Sequence, residues 1–429
     1  MKKITAVLLA LCLAFSLAAC GGSKDNEASK ESQKVVTSPS EESAEPSEDV
    51  SEEPLGETIK IGHIVDLTGV EASTGMIAQQ SLEFAVKAIG GQIAGHPIEI
   101  IVGDAQSSSA NAVDLARKMV ESDGVVAIFG PTQIGHKTAV AEYIATAEIP
   151  LIFYNGTPLY TLEGNDWVVG AGGATPQMPS TMAVYCYEEL GYRSVNILSM
   201  DNLGYRSYLN PFMEEFVALG GEIVSEQWAP IPCADWTPYQ SGIKDADATV
   251  AWASGSDAIS LWQAWTDVGL VDRMPLVAAM HGGFTDYFVP NALSKANPAA
   301  LENMLGAVAP ILWVGDIDTP ENNEFMAKWE EEYGERPVGS NLPGACYQSI
   351  LLFKAALEAT GGETDPEQLI EAIFAADVTG PEGHLFFADG SHAATKDVHI
   401  VQVVQLEDGT FNYSLLKTYK DVPPAGYGK

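Results

Sequence analysis

The stretch with the most suggestive chemistry is residues 130–138, GPTQIGHKT. It departs from the phosphate-binding pattern G-x-x-x-x-G-K-[ST] by one residue, because His136 separates Gly135 from Lys137. This spacing moves Lys137 by about a third of a turn along the helix that would follow, so its ammonium no longer faces the loop. Pro131 also removes a backbone N–H that a phosphate would need. We therefore expect a strand-to-helix turn whose free N–H groups suit a carboxylate.

Other patterns that would indicate catalysis or metal binding are missing from the sequence. It contains no G-x-S-x-G, no H-E-x-x-H and no paired cysteine ligands. Residues 315–324, GDIDTPENNE, resemble a calcium loop but lack the glycine at its sixth position, which favours a turn and a helix N-cap. Cys186, Cys233 and Cys346 are compatible with one disulfide and a free thiol, or with three separate thiols. We expect no enzymatic activity, no cofactor and no metal site.

The N-terminus predicts export and a lipid anchor. Residues 1–20 form a lipoprotein signal peptide in which a basic start and an uncharged apolar run end in LAAC, with Cys20 as the lipidated residue. The alternative is an ordinary signal peptide with a chance cysteine. Residues 21–57 are rich in Ser, Glu and Pro without an aromatic residue, which predicts a disordered acidic tether. The chain would then be extracytoplasmic and held at the cell membrane by acyl groups alone.

The charge balance excludes one class of partner. The chain has 58 acidic against 22 basic residues and a formal net charge of −36. Nucleic-acid binding needs a basic face, which this composition cannot supply. The acidic residues are typical of a solvated surface that favours solubility.

From residue 58 onward, apolar strands alternate with amphipathic helices. The strands are nearly continuous apolar runs, which is typical of parallel sheets covered on both faces. They fall into two successive α/β units, with strands at 58–65, 96–104, 125–130 and 150–155, and then at 194–200, 222–229, 249–254 and 274–280. Ligands of such sheets bind at the carboxyl ends of the strands. Two units that face each other would therefore form a cleft.

Several segments in this order resemble the type I periplasmic-type solute-binding proteins, in particular the branch that binds leucine, isoleucine and valine for ABC importers. They are the lipobox, the tether, IKIGHIVDLTGVEASTG, GDAQSSSANAVDLARKMVESDGVVAIFGP, IPLIFYNGTP, MDNLGYRS and GHLFFADG. The resemblance covers about residues 58–429. It implies an α/β fold of two Rossmann-like, doubly wound lobes joined by a three-crossover hinge. The implied boundaries are 58–175 plus 311–383 for lobe one and 176–310 plus 384–429 for lobe two, with crossovers near 173–176, Pro310 and Gly383.

The resemblance also implies ligand contacts in lobe one. The first falls on Thr74, which could equally be a helix N-cap. Ile134 stands where the family has a serine that grips the ligand carboxylate, so that Thr132, Gln133 or backbone N–H groups would have to replace it.

The next turn, YNGTP, follows the family pattern more closely. Asn155 and Gly156 would offer backbone groups to the ligand, and Thr157 would supply its hydroxyl. An ordinary turn threonine is the alternative.

In lobe two, Leu203 replaces the aromatic residue that usually precedes the glycine of MDNLGYRS. Tyr205 could cover the ligand instead, or could be a plain surface residue of the helix. The turn after the third strand would supply Ser254 or Ser256.

The acid that holds the ligand ammonium in branched-chain binders would lie near Met280–Gly283, where the sequence has His281. Asp286 is the nearest carboxylate, and an ordinary helix-start residue is the alternative. A buried ammonium without an anionic partner is costly. The sequence therefore leaves open a ligand that is flatter or less charged than an amino acid, with Trp236, Trp252 and His281 as contacts or as core residues.

These features predict the substrate-binding lipoprotein of an ABC importer. It would capture a small solute, an amino acid or a related small carboxylate, and deliver it to permease and ATPase subunits. One alternative is a ligand-sensing receptor domain that feeds a signalling partner. Another is a binder of aromatic acids or amides.

Overall fold

The computed structural model describes residues 56–69, 71–286, 288–337 and 340–427. The predicted signal peptide with Cys20, and the predicted tether up to residue 55, lie outside these residues. In the described residues, no helix is long and apolar enough to cross a bilayer.

The first part of the chain builds a mostly parallel sheet between helices. Its strands are β1 (Ile59–Val65), β2 (Gln92–Ile93), β3 (His96–Asp104), β4 (Ala127–Phe129), β5 (Leu151–Ile152) and β6 (Val168–Val169). They are ordered β2-β3-β1-β4-β5-β6, and only β2, which the sequence analysis missed, runs antiparallel to its neighbour. The helices are α1 (Ala72–Ala88), α2 (Ser109–Lys118), α3 (Ile134–Ala147) and α4 (Leu159–Leu162), and a π-helical turn at Met119–Asp123 extends α2.

A second parallel sheet follows, with the order β8-β7-β9-β10. Its strands are β7 (Ser194–Met200), β8 (Glu222–Ala229), β9 (Ala248–Trp252) and β10 (Leu276–Ala278), and its helices are α5 (Gln177–Glu188), α6 (Leu203–Ala218), α7 (Thr237–Gln240) and α8 (Gly255–Asp267), with a 3-10 turn at Leu270–Asp272.

The rest of the chain contributes helices and an antiparallel sheet. The helices are α9 (Phe288–Ala296), α10 (Pro298–Met304), α11 (Pro320–Tyr333), α12 (Leu342–Ala359) and α13 (Pro366–Ala375), and the strands are β11 (Val308–Ile311), β12 (Val378–Gly380), β13 (Gly383–Phe386), β14 (Thr395–Gln405) and β15 (Phe411–Val422). The sheet order is β11-β14-β13-β12, and β15 pairs with β14. Packing links this part to both parallel sheets, since α12 lies on α1 while β11 lies beside β10.

Two local predictions from the sequence can be compared with the structure. Thr319 caps α11, because its hydroxyl accepts a hydrogen bond from the Asn322 N–H at 3.3 Å, so the calcium-like stretch is indeed a helix N-cap. Cys186, Cys233 and Cys346 are buried, unpaired thiols, which decides between the two alternatives in favour of separate cysteines. Burial raises the pKa of all three thiols.

One buried side chain joins segments that are far apart in the sequence. Gln177, the first residue of α5, has no exposed surface. Its Oε1 accepts a hydrogen bond from the Ala174 N–H at 2.7 Å, while its Nε2 donates to Ala394 O at 3.0 Å and to Val422 O at 2.7 Å. The amide thus connects the chain between β6 and α5 with the start of β14 and the end of β15.

Replacing Gln177 with leucine should destabilise the protein strongly. The change leaves one N–H and two carbonyl groups buried without partners, each at a cost of roughly 1–3 kcal/mol. We expect the free energy of unfolding, measured by urea denaturation, to fall by about 3 kcal/mol or more. Gln368→Leu, on the exposed side of α13, is the control and should change it by about 0.5 kcal/mol or less. If both variants lowered the free energy of unfolding equally, Gln177 would not hold these three segments together.

Candidate functional site

A cavity of about 530 Å³ lies where strands of both parallel sheets end. The residues that line it follow the carboxyl ends of β1, β4 and β5 in the first sheet and of β7, β9 and β10 in the second. The wall of the first part comprises Glu71, Ser73, Thr74, Ile77, Thr132, Gln133, Ile134, Gly135, Asn155 and Gly156. The remaining wall residues are Met178, Asn202, Gly204, Tyr205, Tyr208, Ile231, Trp252, Ser254, Gly255, Met280, His281, Gly282, Gly283, Asp286, Phe288, Ser340, Asn341 and Leu342.

Several helices begin at this wall, among them α1, α3, α6, α8 and α12. The first N–H groups of a helix have no acceptor within it, and the helix dipole makes this end positive. At α3 the N-cap Gln133 makes no side-chain capping hydrogen bond. The cavity therefore receives several unpaired donors and a positive potential, which suit an anionic group.

Two glycines allow the helices to start so close to the strands. Gly130, just after β4, has a φ of 77°, and a Cβ there would lie 2.5 Å from Ile64 O. Gly75, in the first turn of α1, would place a Cβ 1.9 Å from Asp66 O. Both positions exclude a side chain, so these glycines set how closely α1 and α3 approach the end of β1.

Two polar atoms in the wall are buried and have no hydrogen-bond partner among the described residues: Thr132 Oγ1 and Asn155 Oδ1. The orientation of the Asn155 amide is fixed, because its Nδ2 donates to Thr132 O at 3.1 Å. Its Oδ1 is therefore left as an acceptor, while the Thr132 hydroxyl can donate or accept. Buried polar atoms are costly without partners, so both atoms favour a polar solute in the cavity.

Nine of the predicted contacts lie in the wall: Thr74, Thr132, Gln133, Ile134, Asn155, Gly156, Tyr205, Ser254 and His281. Their role as ligand contacts stays a prediction.

The structure places the other three predicted contacts, Thr157, Leu203 and Ser256, outside the wall. Thr157 lies behind it with no exposed surface, and its Oγ1 donates to Asn155 O at 3.0 Å and accepts from Lys137 Nζ at 2.9 Å. Leu203 is 67% exposed at the start of α6, and Ser256 is exposed in the first turn of α8.

Aromatic side chains of α6 and β9 form one side of the cavity. The rings of Tyr205 and Tyr208 lie 4.3 and 4.8 Å from that of Trp252, measured between centroids. Hydrogen bonds fix two of them, because Tyr205 Oη lies 2.6 Å from Ser254 Oγ and Trp252 Nε1 donates to Gly282 O at 2.7 Å. Sequence reasoning missed Tyr208, although its spacing of three residues from Tyr205 places both on one helix face.

Trp236, by contrast, belongs to the core. It is buried, is absent from the wall, and donates from Nε1 to Ser260 Oγ at 2.9 Å.

Asp286, the nearest carboxylate in the sequence, lies in the same wall as His281. Asp286 lines the cavity and accepts hydrogen bonds from the Gly283 N–H at 3.0 Å and from Tyr413 Oη at 3.2 Å. His281 Nδ1 lies 3.1 Å from Pro310 O, and its Nε2 lies 3.1 Å from Asn341 Oδ1. Burial raises the pKa of Asp286.

A second carboxylate, Glu71, was missed altogether. It lines the cavity at the start of α1, and Thr74 Oγ1 lies 3.5 Å from its Oε2. Burial, and then the nearby Asp66, raise the pKa of Glu71. Asp66 is itself buried, accepts from the Ser107 N–H at 2.7 Å, and has its Oδ2 3.4 Å from Nδ1 of His136. In the described part of the chain, no group of three or more His, Cys, Asp or Glu side chains could hold a metal ion.

Comparison with known proteins identifies the architecture. The family model described as "Periplasmic binding protein" matches residues 58–410. A curated relative, the Leu/Ile/Val-binding protein homolog 6 of Brucella melitensis, is 23% identical over 371 residues, which are 85% of this chain and 92% of the relative.

Two solved structures have the same fold. The ABC transporter substrate-binding protein from Sphaerobacter thermophilus is 29% identical, with a TM-score of 0.76, covering 86% of this chain and 99% of that protein. The solute-binding protein of an ABC transporter from Rhodopseudomonas palustris BisB5, in complex with 3,4-dihydroxybenzoic acid, is 24% identical, with a TM-score of 0.75, covering 86% and 98%. The predicted α/β fold of type I periplasmic binding proteins is thereby confirmed.

Replacing Glu71 with glutamine should stabilise the empty protein at neutral pH. Because the folded-state pKa of Glu71 is raised above the usual 4.5, its neutral form suits the fold, and this contribution is lost as pH rises through that pKa. We expect thermal unfolding to show a gain in Tm of Glu71→Gln over wild type that is small at pH 4 and grows as the pH rises toward 8. Glu99→Gln, on an exposed part of β3, is the control. A difference between wild type and Glu71→Gln that does not vary with pH would contradict the prediction.

Proposed function

The chain belongs to the periplasmic binding protein family, whose members bind solutes outside the cytoplasm, and we propose that it is the lipid-anchored substrate-binding subunit of an ABC importer. It captures a small carboxylate in the cavity between its two parallel sheets and delivers it to permease and ATPase subunits. The observation that carries this proposal is the cavity of about 530 Å³, with helix starts and unpaired buried polar atoms in its wall. No bond is made or broken, so affinity and closure constitute the mechanism.

Closure follows from the two-lobed construction. We assign lobe one to 58–175 plus 311–383 and lobe two to 176–310 plus 384–429, joined by three crossovers. Gln177 supports this assignment, because it ties together three segments at the proposed hinge. Across the cleft, Tyr208 Oη donates to Gly156 O at 3.5 Å, so wall residues of both lobes contact each other. Rotation about the hinge would separate this pair and open the cavity.

An amino acid is the ligand that the wall favours. Its carboxylate would accept from the α3 start and the Thr132 hydroxyl. Its ammonium would be held by Glu71 or Asp286, which restore the acid that the sequence lacked at His281. Its side chain would lie against the aromatic residues of lobe two. The name of the Brucella melitensis relative supports the same class.

An aromatic acid is a second candidate. The Tyr205, Tyr208 and Trp252 rings offer a flat apolar surface, and the Rhodopseudomonas palustris protein holds 3,4-dihydroxybenzoic acid. Such a ligand has no cation to offer to Glu71 and Asp286. Their raised pKa values would lower the cost of protonating them.

Ligand binding is tested by thermal unfolding of the purified protein with each of the common amino acids, benzoate, 4-hydroxybenzoate and 3,4-dihydroxybenzoate. A ligand that binds only the folded state stabilises it by about 2.7 kcal/mol at a concentration of 100 Kd. We expect at least one amino acid to raise the Tm, and small-angle scattering to show a smaller radius of gyration in its presence.

A matched pair of variants locates the binding in the cavity. Asn155→Ala removes an unpaired wall acceptor, to which the ammonium of an amino acid can donate, and should weaken a bound amino acid about tenfold, since a net hydrogen bond contributes roughly 0.5–1.5 kcal/mol. Asn412→Ala, on β15 and outside the wall, should leave affinity unchanged. An affinity of Asn155→Ala equal to that of wild type would remove this turn from the site. A Tm that no compound of the panel raises would refute the ligand class.

Membrane attachment through Cys20 has its own test. Cys20→Ser in the full-length chain removes the acyl acceptor, and the protein should move from the membrane fraction to the soluble fraction of fractionated cells. The wild-type chain should incorporate radiolabelled palmitate, whereas the variant should not. Cys12→Ser is the control because Cys12 lies within the predicted signal peptide. Membrane association of Cys20→Ser equal to wild type would refute the lipid anchor.

A further inference from the structure

Lys137 is the residue of the GPTQIGHKT stretch that the proposed function has not yet used. It lies in the first turn of α3, yet its side chain has no exposed surface. Its Nζ donates to Asn155 O at 2.8 Å, to Gly156 O at 2.9 Å and to Thr157 Oγ1 at 2.9 Å. Asn155 and Gly156 line the cavity, so the lysine holds this turn from behind.

The three partners match the three donors of an ammonium. Both carbonyl oxygens can only accept, and the Thr157 hydroxyl already donates to Asn155 O at 3.0 Å. An ammonium offers three donors for these three acceptors. Burial lowers the pKa of Lys137 well below its usual value, whereas hydrogen bonds from the ammonium to three acceptors favour the charged form. No ion pair joins Lys137 to a carboxylate of the described residues, and its Nζ lies 5.1 Å from the centre of the Phe153 ring.

The ammonium determines which groups of the turn face the cavity. Since the Asn155 and Gly156 carbonyls and the Thr157 hydroxyl point at Nζ, they are withdrawn from the ligand. The Gly156 N–H makes no hydrogen bond to another described residue and is left for the cavity. The Asn155 amide donates to Thr132 O and keeps only the acceptor Oδ1 unpaired.

We propose that Lys137 is a positioning residue, whose buried ammonium holds the Asn155–Gly156 turn so that the Gly156 N–H faces the ligand, and whose charge favours an anionic group at this wall. The inference rests on the proposed function for the identity of the ligand. The α3 start and the 92%-buried, unpaired Thr132 hydroxyl belong to the same wall. A solute carboxylate at this wall would thus meet fixed donors and a charge that water does not screen.

The first arm of the test needs no ligand. In nitrogen-15 spectra of the wild-type protein, the Lys137 ammonium should appear as a slowly exchanging NH₃⁺ signal at neutral pH. Lys137→Met should shift the amide signals of Asn155, Gly156 and Thr157, whereas Lys118→Met, on the exposed surface of α2, should not. A rapidly exchanging or neutral Lys137, or unmoved turn signals in Lys137→Met, would overturn the proposal.

The second arm compares acids with their uncharged amides. The probes are L-leucine with L-leucinamide and benzoate with benzamide, measured by calorimetry. Lys137→Met should weaken the acid that binds by at least tenfold and should reduce the preference for acid over amide, whereas Lys118→Met should change neither. A purely structural role would lower the Tm but leave that preference intact, which would overturn the proposal.

The spectra and the calorimetry together show whether this inference or the proposed function is wrong. If no acid binds the wild-type protein, the ligand class is refuted, and the spectra alone decide whether Lys137 holds the turn. If Lys137→Met does not fold, Lys137→Gln retains two N–H donors without the charge. It should preserve the turn signals in part and should still reduce the preference for the acid, and an unchanged preference would overturn the role of the charge.

Discussion

The cavity exists because parallel strands oblige every following helix to begin at the same edge of the sheet. Each of these helices brings N–H groups that cannot be satisfied within the helix. In this protein two such edges meet, and helices α1, α3, α6 and α8, each after a parallel strand, begin at one cavity of about 530 Å³. The fold thereby concentrates unpaired donors in a small enclosed volume. The backbone already attracts negative charge. The side chains of the wall therefore only have to determine which solutes bind.

That attraction is balanced by opposite charges within the same wall. Glu71 and Asp286 place two carboxylates in the cavity, and burial raises the pKa of both. Lys137 adds a positive charge behind the Asn155–Gly156 turn without reaching the cavity itself. The wall therefore has separate regions of opposite charge, and the aromatic rings of α6 and β9 lie beside them. Such a distribution matches a small molecule that carries both charges and an apolar group.

The sequence was sufficient for the fold and for much of the wall, and the reasons for its failures are physical. Strand-to-helix turns are local, so the family resemblance could place Thr132, Asn155 and Tyr205 at the turns that line the wall. Asp286 was underestimated because the turn after Met280 brings it back to the cavity, which no linear spacing reveals. Thr157 lies behind the wall, where a lysine twenty residues earlier binds its hydroxyl. Side-chain partners that are distant in sequence decided each of these cases.

The acidic surface has a consequence for how solutes arrive. The chain carries a formal charge of −36, whereas the cavity presents positive helix ends. An anion is therefore repelled at long range and attracted only once it is inside, while a zwitterion without net charge passes the outer field unaffected. Added salt screens the outer field over distances beyond about 10 Å at 0.1 M. Ionic strength should thus accelerate the capture of simple anions and leave the capture rate of zwitterions nearly constant, so the kinetics of entry carry information on the natural cargo.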